Sequence, residues 1–110
     1  MAERMTVQNA LQRVRDSADG LYAVLLESGS MELGYYKPVG KDVQTPHEQD
    51  EIYIVQSGHG TLSRDGEEVP FAPGDALFVA AGAEHRFVDF SDDFGCWVIF
   101  WGPPGGESQA

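Results

Sequence analysis

Basic residues and cysteine are both scarce in this chain, and each shortage removes a class of function. The 110 residues contain 7 lysines and arginines against 18 aspartates and glutamates, which gives a formal net charge of −11. Because an anionic surface repels nucleic-acid phosphates and anionic lipid headgroups, we expect neither nucleic acid nor a membrane surface as a partner. The single cysteine, Cys96, excludes an intrachain disulfide and a zinc site built from several cysteines.

Long hydrophobic runs are missing as well. No stretch approaches the ~18 apolar residues that span a bilayer, and the first residues contain no apolar core of signal-peptide length. We therefore expect a cytoplasmic protein. The chain length corresponds to a single domain, and a hydrophobic content of 42% is ordinary for a globular fold.

An amphipathic helix is predicted at the start of the chain, over residues 3–18. One apolar face follows the i, i+3, i+4, i+7 spacing of a helix and consists of Val7, Ala10, Leu11 and Val14. Thr6 could cap this helix and delay its start, and Asp19-Gly20 is expected to end it. We expect the apolar face to pack across a barrel opening or against a partner subunit.

After residue 20 the pattern changes to short strands separated by glycine turns. Runs rich in β-branched and aromatic residues cover 21–26, 31–37, 51–56, 60–64, 68–71, 76–80, 85–90 and 96–101. Asp65-Gly66 is a strong hairpin signal. Many short strands without intervening helices are typical of an antiparallel sandwich or barrel. The expected organisation is a helix over 1–20, a barrel over 21–101 and a flexible tail over 102–110.

His47 and Glu51 are candidate ligands of one metal ion, although they cannot lie on a helix or on one straight strand. Pro46 and the strand-forming run that follows at 52–55 argue against a helical zinc-protease motif. On one strand the two residues would be about 13 Å apart at ~3.3 Å per residue, whereas ligands lie within about 2.2 Å of a metal. Residues 48–50 must therefore turn the chain, so that His47 ends one strand and Glu51 opens the next.

This stretch resembles the first motif of the cupin superfamily. Glu51 and Gly58 have the separation of the glutamate and the final glycine in that motif, and His47 lies at the position of its second histidine. Thr45 stands where the family has its first histidine, and Gly40 is one residue out of step with the motif glycine.

A second cupin motif is matched further along the chain. Gly74, Gly82 and His85 have its spacing, while Ala80 replaces its proline and Asp89 its asparagine. The resemblance covers roughly residues 35–101. It implies an all-β, cupin-type double-stranded β-helix, a jelly-roll barrel, with a short N-terminal helix, and it implies a homodimer.

The resemblance also implies a divalent metal site formed by His47, Glu51 and His85. Two imidazoles and a carboxylate suit Fe, Mn, Ni or Zn. Because the hydroxyl of Thr45 is a poor ligand, Gln44 or Gln49 could add a carbonyl oxygen, although neither stands at the family position. The alternative is a hydrogen-bonded pocket without metal.

Tyr53 is the candidate catalytic residue, because it shares strand parity with Glu51 and could point into the same cavity. Its hydroxyl could act as an acid or base or hold a substrate, and burial in the core is the alternative. Two functions remain open. One is a metal-dependent enzyme acting on a small polar metabolite such as a sugar or carboxylic acid, and the other is a noncatalytic module that binds or senses a small molecule.

Three further residues carry simpler predictions. His59, between two glycines, is expected to be a solvated loop histidine. Cys96 is expected to be a small buried thiol. Asp89 is predicted either to orient His85 as a hydrogen-bond acceptor or to be a surface carboxylate.

Overall fold

The computed structural model describes residues 4–107, which form one helix and eight strands. The elements are α1 (Val7–Asp16), β1 (Tyr22–Ser28), β2 (Met31–Tyr36), β3 (Asp50–Ser57), β4 (Gly60–Arg64), β5 (Glu67–Phe71), β6 (Ala76–Val79), β7 (His85–Val88) and β8 (Gly95–Trp101). The strands pair antiparallel in a five-stranded sheet of order β1-β2-β8-β3-β6 and a three-stranded sheet of order β5-β4-β7. The all-β, cupin-type jelly roll with an N-terminal helix is confirmed.

Aromatic side chains pack together in the core between the two sheets. The rings of Phe71, Phe87 and Phe94 lie with centroids 4.7–5.6 Å apart. Burial of such rings is the main favourable term in folding, at roughly 25 cal/mol per Å² of apolar surface. The other buried members of this cluster are Tyr53, Val55, Leu62, Leu77, Val79, Cys96 and Val98.

The helix is shorter than the sequence predicts, and its location differs from the prediction. The Thr6 hydroxyl accepts a hydrogen bond from the amide of Asn9 at 3.1 Å, so the helix begins only at Val7. It ends at Asp16, before the predicted Asp19-Gly20 stop. Its buried face packs on β1 and β2 against Tyr35. Packing across a barrel opening was therefore the wrong expectation.

The β4–β5 hairpin confirms the strongest turn signal in the sequence. Asp65 has a φ of 49° and Gly66 a φ of 84°. Positive φ at both central residues is the geometry of a type I′ turn, whose twist matches that of the flanking strands. Strand β4 therefore begins and ends where the sequence predicts.

The residues that follow β8 run beside the start of β3. The amide of Gly102 donates to the Ser30 hydroxyl at 3.0 Å, and the amide of Gly105 donates to the Glu48 carbonyl at 2.7 Å. The amide of Glu107 donates to the Asp50 carboxylate at 3.1 Å. The predicted tail thus has hydrogen-bond partners as far as residue 107, and residues 108–110 lie outside the described part of the chain.

No helix within residues 4–107 is long and apolar enough to cross a membrane.

Candidate metal centre

The three metal ligands predicted from the sequence meet between the two sheets. Glu51 is the second residue of β3 and His85 the first residue of β7, so each sheet supplies one of them. His47 comes from the irregular segment 37–49. One potential donor atom from each of the three residues lies within 4.8 Å of the other two.

A bend in the chain brings His47 back to Glu51, as their spacing requires. The bend covers Glu48 and Gln49, and β3 begins at Asp50. His47 itself does not end a strand, and that detail of the prediction was wrong. The His47 carbonyl instead accepts a hydrogen bond from the amide of Gly82 at 2.8 Å, which joins the two motif regions directly.

The ring nitrogens of both histidines approach the Glu51 carboxylate. His85 Nε2 lies 2.9 Å from Glu51 Oε1, and His47 Nε2 lies 3.9 Å from the same oxygen. Ligand atoms bound at about 2.1 Å to one metal are themselves about 3–4 Å apart, so these distances fit a shared ion. His85 Nδ1 lies 2.9 Å from the Ala83 carbonyl. Since a carbonyl only accepts, the hydrogen is on Nδ1, and Nε2 is left to face the centre.

Glu51 is the clearest sign that the centre could hold a cation. Its side chain is 1% exposed, and within residues 4–107 neither of its oxygens accepts a hydrogen bond of ordinary geometry. A buried carboxylate without adequate partners costs several kcal/mol, and a divalent ion would offset that cost. The residues present therefore fit a divalent metal, and two imidazoles with one carboxylate accommodate Fe, Mn, Ni or Zn.

The same pair of groups also favours a proton. Burial is the largest single influence on the pKa of His85 and lowers it, but the nearby Glu51 carboxylate and the hydrogen bond to the Ala83 carbonyl raise the pKa above its ordinary value overall. A proton and a metal ion compete for the same Nε2 lone pair.

Tyr53 is buried in the core and also reaches the candidate centre, so both alternatives considered for it apply. Its side chain is 1% exposed, and its ring packs edge-on against Phe87 with centroids 4.8 Å apart. Its hydroxyl nevertheless reaches the centre and lies 3.0 Å from His85 Nε2. Burial and the charge of Glu51 raise the pKa of Tyr53 well above its ordinary value, so the hydroxyl keeps its proton.

A cavity of about 400 Å³ opens beside these residues, a size typical of small-molecule sites. Its wall includes His47, Glu51 and Tyr53. The hydroxyl of Tyr22, another wall residue, donates to Glu32 at 2.7 Å. Neither Tyr22 nor Glu32 belongs to a motif, so sequence reasoning did not single them out.

Comparison with known proteins identifies the family. A sequence profile of the cupin domain matches residues 33–100, more than half of the chain. The protein belongs to the cupin family.

Individual relatives agree with that assignment. This cupin is 36% identical over 96 residues to the uncharacterized protein SCO3923 of Streptomyces coelicolor, covering 86% of this chain and 90% of the relative. A Cupin 2 conserved barrel domain protein from Salinispora arenicola superposes with a TM-score of 0.67 at 23% identity, covering 93% of this chain and 89% of that one. The plu4264 protein from Photorhabdus luminescens has a TM-score of 0.67 at 19% identity, covering 93% and 88%. At these identities the two structures support the fold alone.

In this cupin the residue at the position of the missing family histidine does not face the candidate centre, and the preceding residue, Gln44, lies beside it instead. Thr45 is exposed. Gln44 Oε1 lies 2.9 Å from His47 Nε2 and accepts a hydrogen bond from the Tyr53 hydroxyl at 3.3 Å. The other glutamine considered from sequence, Gln49, donates to the carbonyls of Ser30 and Gly102 and so serves the backbone.

Asp42 holds the Gln44 side chain in place. The sequence alone did not single it out. It is 1% exposed and accepts hydrogen bonds from the Tyr36 hydroxyl, the Phe87 amide and both the backbone and side-chain nitrogens of Gln44. An aspartate in an irregular segment normally indicates a surface turn, and its sequence neighbourhood carries no sign of burial.

The structure also tests the predictions for His59, Cys96 and Asp89. His59 is exposed, as expected, and Cys96 is buried, with burial raising the pKa of its thiol well above the ordinary value. Asp89 is exposed with a φ of 52°, beyond the end of β7. The surface alternative for Asp89 is thus the correct one, and the Ala83 carbonyl orients His85 instead.

Proposed function

We propose that this cupin is a divalent-metal enzyme acting on a small polar metabolite such as a sugar or carboxylic acid. The observation that carries the proposal is the buried Glu51 carboxylate, which lacks ordinary donors among residues 4–107 and faces two imidazole nitrogens beside a ligand-sized cavity. A bound divalent ion would polarise a substrate carbonyl or acidify a water at neutral pH. The candidate ligands are His47, Glu51 and His85.

Tyr53 is the proposed acid or base of the reaction. Its hydroxyl lies 3.0 Å from His85 Nε2, and its ring is held by Phe87. Because burial and the charge of Glu51 raise its pKa well above the ordinary value, the hydroxyl keeps its proton and can hold a substrate oxygen by a hydrogen bond. It is also placed to donate that proton once negative charge develops on the substrate oxygen.

The charges around the cavity narrow the class of substrate. The described cavity wall includes the carboxylates of Asp19, Glu32 and Glu51 and contains no lysine or arginine. Phosphate esters normally require such cations, so we propose a hydroxylated, unphosphorylated compound. A carboxylic acid would have to bind through the metal.

Metal content tests the first part of the proposal. Protein purified without an affinity tag should carry near-stoichiometric Fe, Mn, Ni or Zn by elemental analysis. His47→Ala and His85→Ala should lose most of it while staying folded, and His59→Ala, which removes an exposed histidine, should not. Wild-type protein with no bound metal and no measurable affinity for these four ions would refute the metal site.

Turnover tests the second part. The metal-loaded protein should convert at least one member of a panel of sugars and carboxylic acids, followed by proton NMR. Binding of these compounds without conversion would support the alternative, a noncatalytic binding or sensing module, and would overturn the enzymatic assignment.

The homodimer implied by the cupin resemblance is a further proposal. Apolar side chains remain on the outer face of the five-stranded sheet, where Phe78 is 44% exposed beside Trp101, and a second copy of the chain could cover them. Light scattering during gel filtration should give the mass of a dimer, and Phe78→Asp should shift it toward the monomer. A monomeric wild type at tens of micromolar would reject this proposal.

A further inference from the structure

We propose that the side-chain oxygen of Gln44 is a fourth protein ligand of the metal, replacing the histidine that the first cupin motif has at the Thr45 position. The inference rests on the metal site of the proposed function and would alter the donor set that the motif implies. Two nitrogens and two oxygens would then bind the ion, in place of three nitrogens and one oxygen.

The position of the oxygen is the first argument. Gln44 Oε1 lies 2.9 Å from His47 Nε2, the same separation as between His85 Nε2 and Glu51 Oε1. About 3 Å is the spacing expected for neighbouring ligand atoms that share one ion at about 2.1 Å. Thr45, by contrast, is exposed.

The orientation of the amide is the second argument. Gln44 Nε2 lies 2.7 Å from Asp42 Oδ2. An ionised carboxylate can only accept hydrogen bonds, so the NH₂ group must face Asp42, and the oxygen must face His47 and Tyr53. The hydrogen bond to Asp42 thus assigns the amide orientation on chemical grounds.

The rigidity of this support is the third argument. Asp42 is 1% exposed and is itself held by the amide of Phe87 at 2.8 Å and the hydroxyl of Tyr36 at 2.6 Å. An outer carboxylate that fixes a ligand in this manner is a regular feature of protein metal sites. The glutamine oxygen is therefore held in place before any ion arrives.

The donor set has a consequence for the metal. Carbonyl and carboxylate oxygens suit harder ions such as Mn(II), whereas imidazole favours Zn(II), Ni(II) and Cu(II). Exchange of one imidazole for an amide oxygen should therefore raise the affinity for Mn(II) relative to Zn(II). Gln44→His should move that preference back toward Zn(II).

Metal affinity and coordination provide the test. Gln44→Met keeps a similar side-chain volume and removes the oxygen, and Gln56→Met makes the same change at an exposed position on β3. In chelator competition, Gln44→Met should bind Mn(II) and Zn(II) at least tenfold more weakly than wild type, since loss of groups that merely support ligands already costs about 10–100-fold. The visible spectrum of its Co(II) form should change as well. Gln56→Met should match the wild type in both respects.

A measurement on the wild-type protein covers the case in which Gln44→Met does not fold. On titration with Zn(II), the side-chain amide NMR signals of Gln44 should shift, with saturation at one equivalent, while those of Gln49 and Gln56 move little. Unchanged Gln44 signals, or equal affinity and spectra in folded Gln44→Met, would overturn this inference and leave the metal site intact. Failure of wild-type protein to bind any of these ions would overturn both.

Discussion

Asp42 connects the hydrophobic core to the candidate metal centre. One of its oxygens accepts from the Phe87 amide and from the Gln44 side chain, and the other accepts from the Tyr36 hydroxyl and the Gln44 amide. Since four donors converge on two oxygens, an ionised carboxylate is the side chain of this size that can satisfy all of them. The position therefore couples folding stability to the geometry of the centre.

Asp42→Asn should destabilise the protein strongly. Whichever way the new amide turns, its NH₂ group must face a backbone amide that can only donate, either that of Phe87 or that of Gln44. A buried donor left unsatisfied costs about 1–3 kcal/mol. We expect the free energy of unfolding in urea to fall by about 2–4 kcal/mol on this basis. Asp92→Asn, at an exposed side chain, should change it by less than about 0.5 kcal/mol. A loss below about 1 kcal/mol in Asp42→Asn would contradict the hydrogen-bond assignment.

Tyr53→Phe separates catalysis from structure. The ring can keep its contact with Phe87, so stability and metal content should change little. If the hydroxyl transfers a proton, kcat on a substrate found by screening should fall about 10²–10⁴-fold. Unchanged kcat in a variant that retains its metal would remove Tyr53 from the mechanism.

At the scale of elements, glycine is essential in the β3–β4 turn and merely favoured in the β4–β5 turn. Gly58 has a φ of 81°, and a Cβ there would lie 2.5 Å from the Cα of Phe94. Gly66 has a similar φ of 84°, but no atom lies within 4 Å of an added Cβ. At both positions a side chain would be strained by the positive φ. Only at Gly58 would the added Cβ also collide with the main chain.

Alanine at these two glycines should therefore give unequal losses. Gly66→Ala should lower the free energy of unfolding by about 1–2 kcal/mol, the cost of the left-handed conformation. Gly58→Ala should lower it by at least about 2 kcal/mol more, because the main chain near Phe94 must move. Equal denaturant midpoints for the two variants would show that the collision relaxes at little cost.

The strands could be predicted from sequence because local signals determine them. Runs of β-branched residues bounded by glycine turns locate β3 and β4 to within a residue at each end. The start of the helix was also predictable, because Thr6 is a typical capping residue. The surface on which the helix packs could not be predicted, because an apolar face does not determine which apolar surface covers it.

The candidate metal centre was predictable only where its residues follow a spaced motif. His47, Glu51 and His85 could be named from their spacing, and the structure brings them together. Asp42 is held by hydrogen bonds from the Phe87 amide in β7 and from the Tyr36 hydroxyl, and it holds Gln44 in turn. Side-chain hydrogen bonds of this kind within the irregular segment 37–49 leave no periodic pattern in the sequence.

At the scale of the whole molecule, acidic residues outnumber basic ones, yet several carboxylates are stabilised in their charged form. The pKa of Asp19 lies below its ordinary value, chiefly because the amide of Leu21 donates to it at 2.8 Å. The pKa of Asp50 is lowered mainly by the amide of Ala81, and that of Asp93 mainly by the Ser91 hydroxyl. Folding thus favours ionisation at these three positions despite the net charge of −11.

The lowered pKa values of these carboxyl groups determine how folding stability changes in acid. A carboxyl group whose pKa is lower in the folded than in the unfolded state contributes stability above its unfolded value of 3.8. That contribution disappears as the pH falls through the folded value. Stability should therefore decline below about pH 4 as these groups take up protons.

Asp19→Asn tests this linkage at one of the three positions. Asparagine keeps an oxygen for the amides of Leu21 and Tyr22 but cannot carry the charge that strengthens those bonds. The variant should be less stable than wild type near pH 6. The difference should narrow as the pH falls below 3.8, because unfolded Asp19 then takes up a proton more readily than folded Asp19 does. Acid also reduces the repulsion among the many carboxylates of the chain, and it does so nearly equally in wild type and variant. The difference between their unfolding free energies therefore reports on Asp19 alone. A difference of the same size at both pH values would mean that the charge of Asp19 does not stabilise the fold.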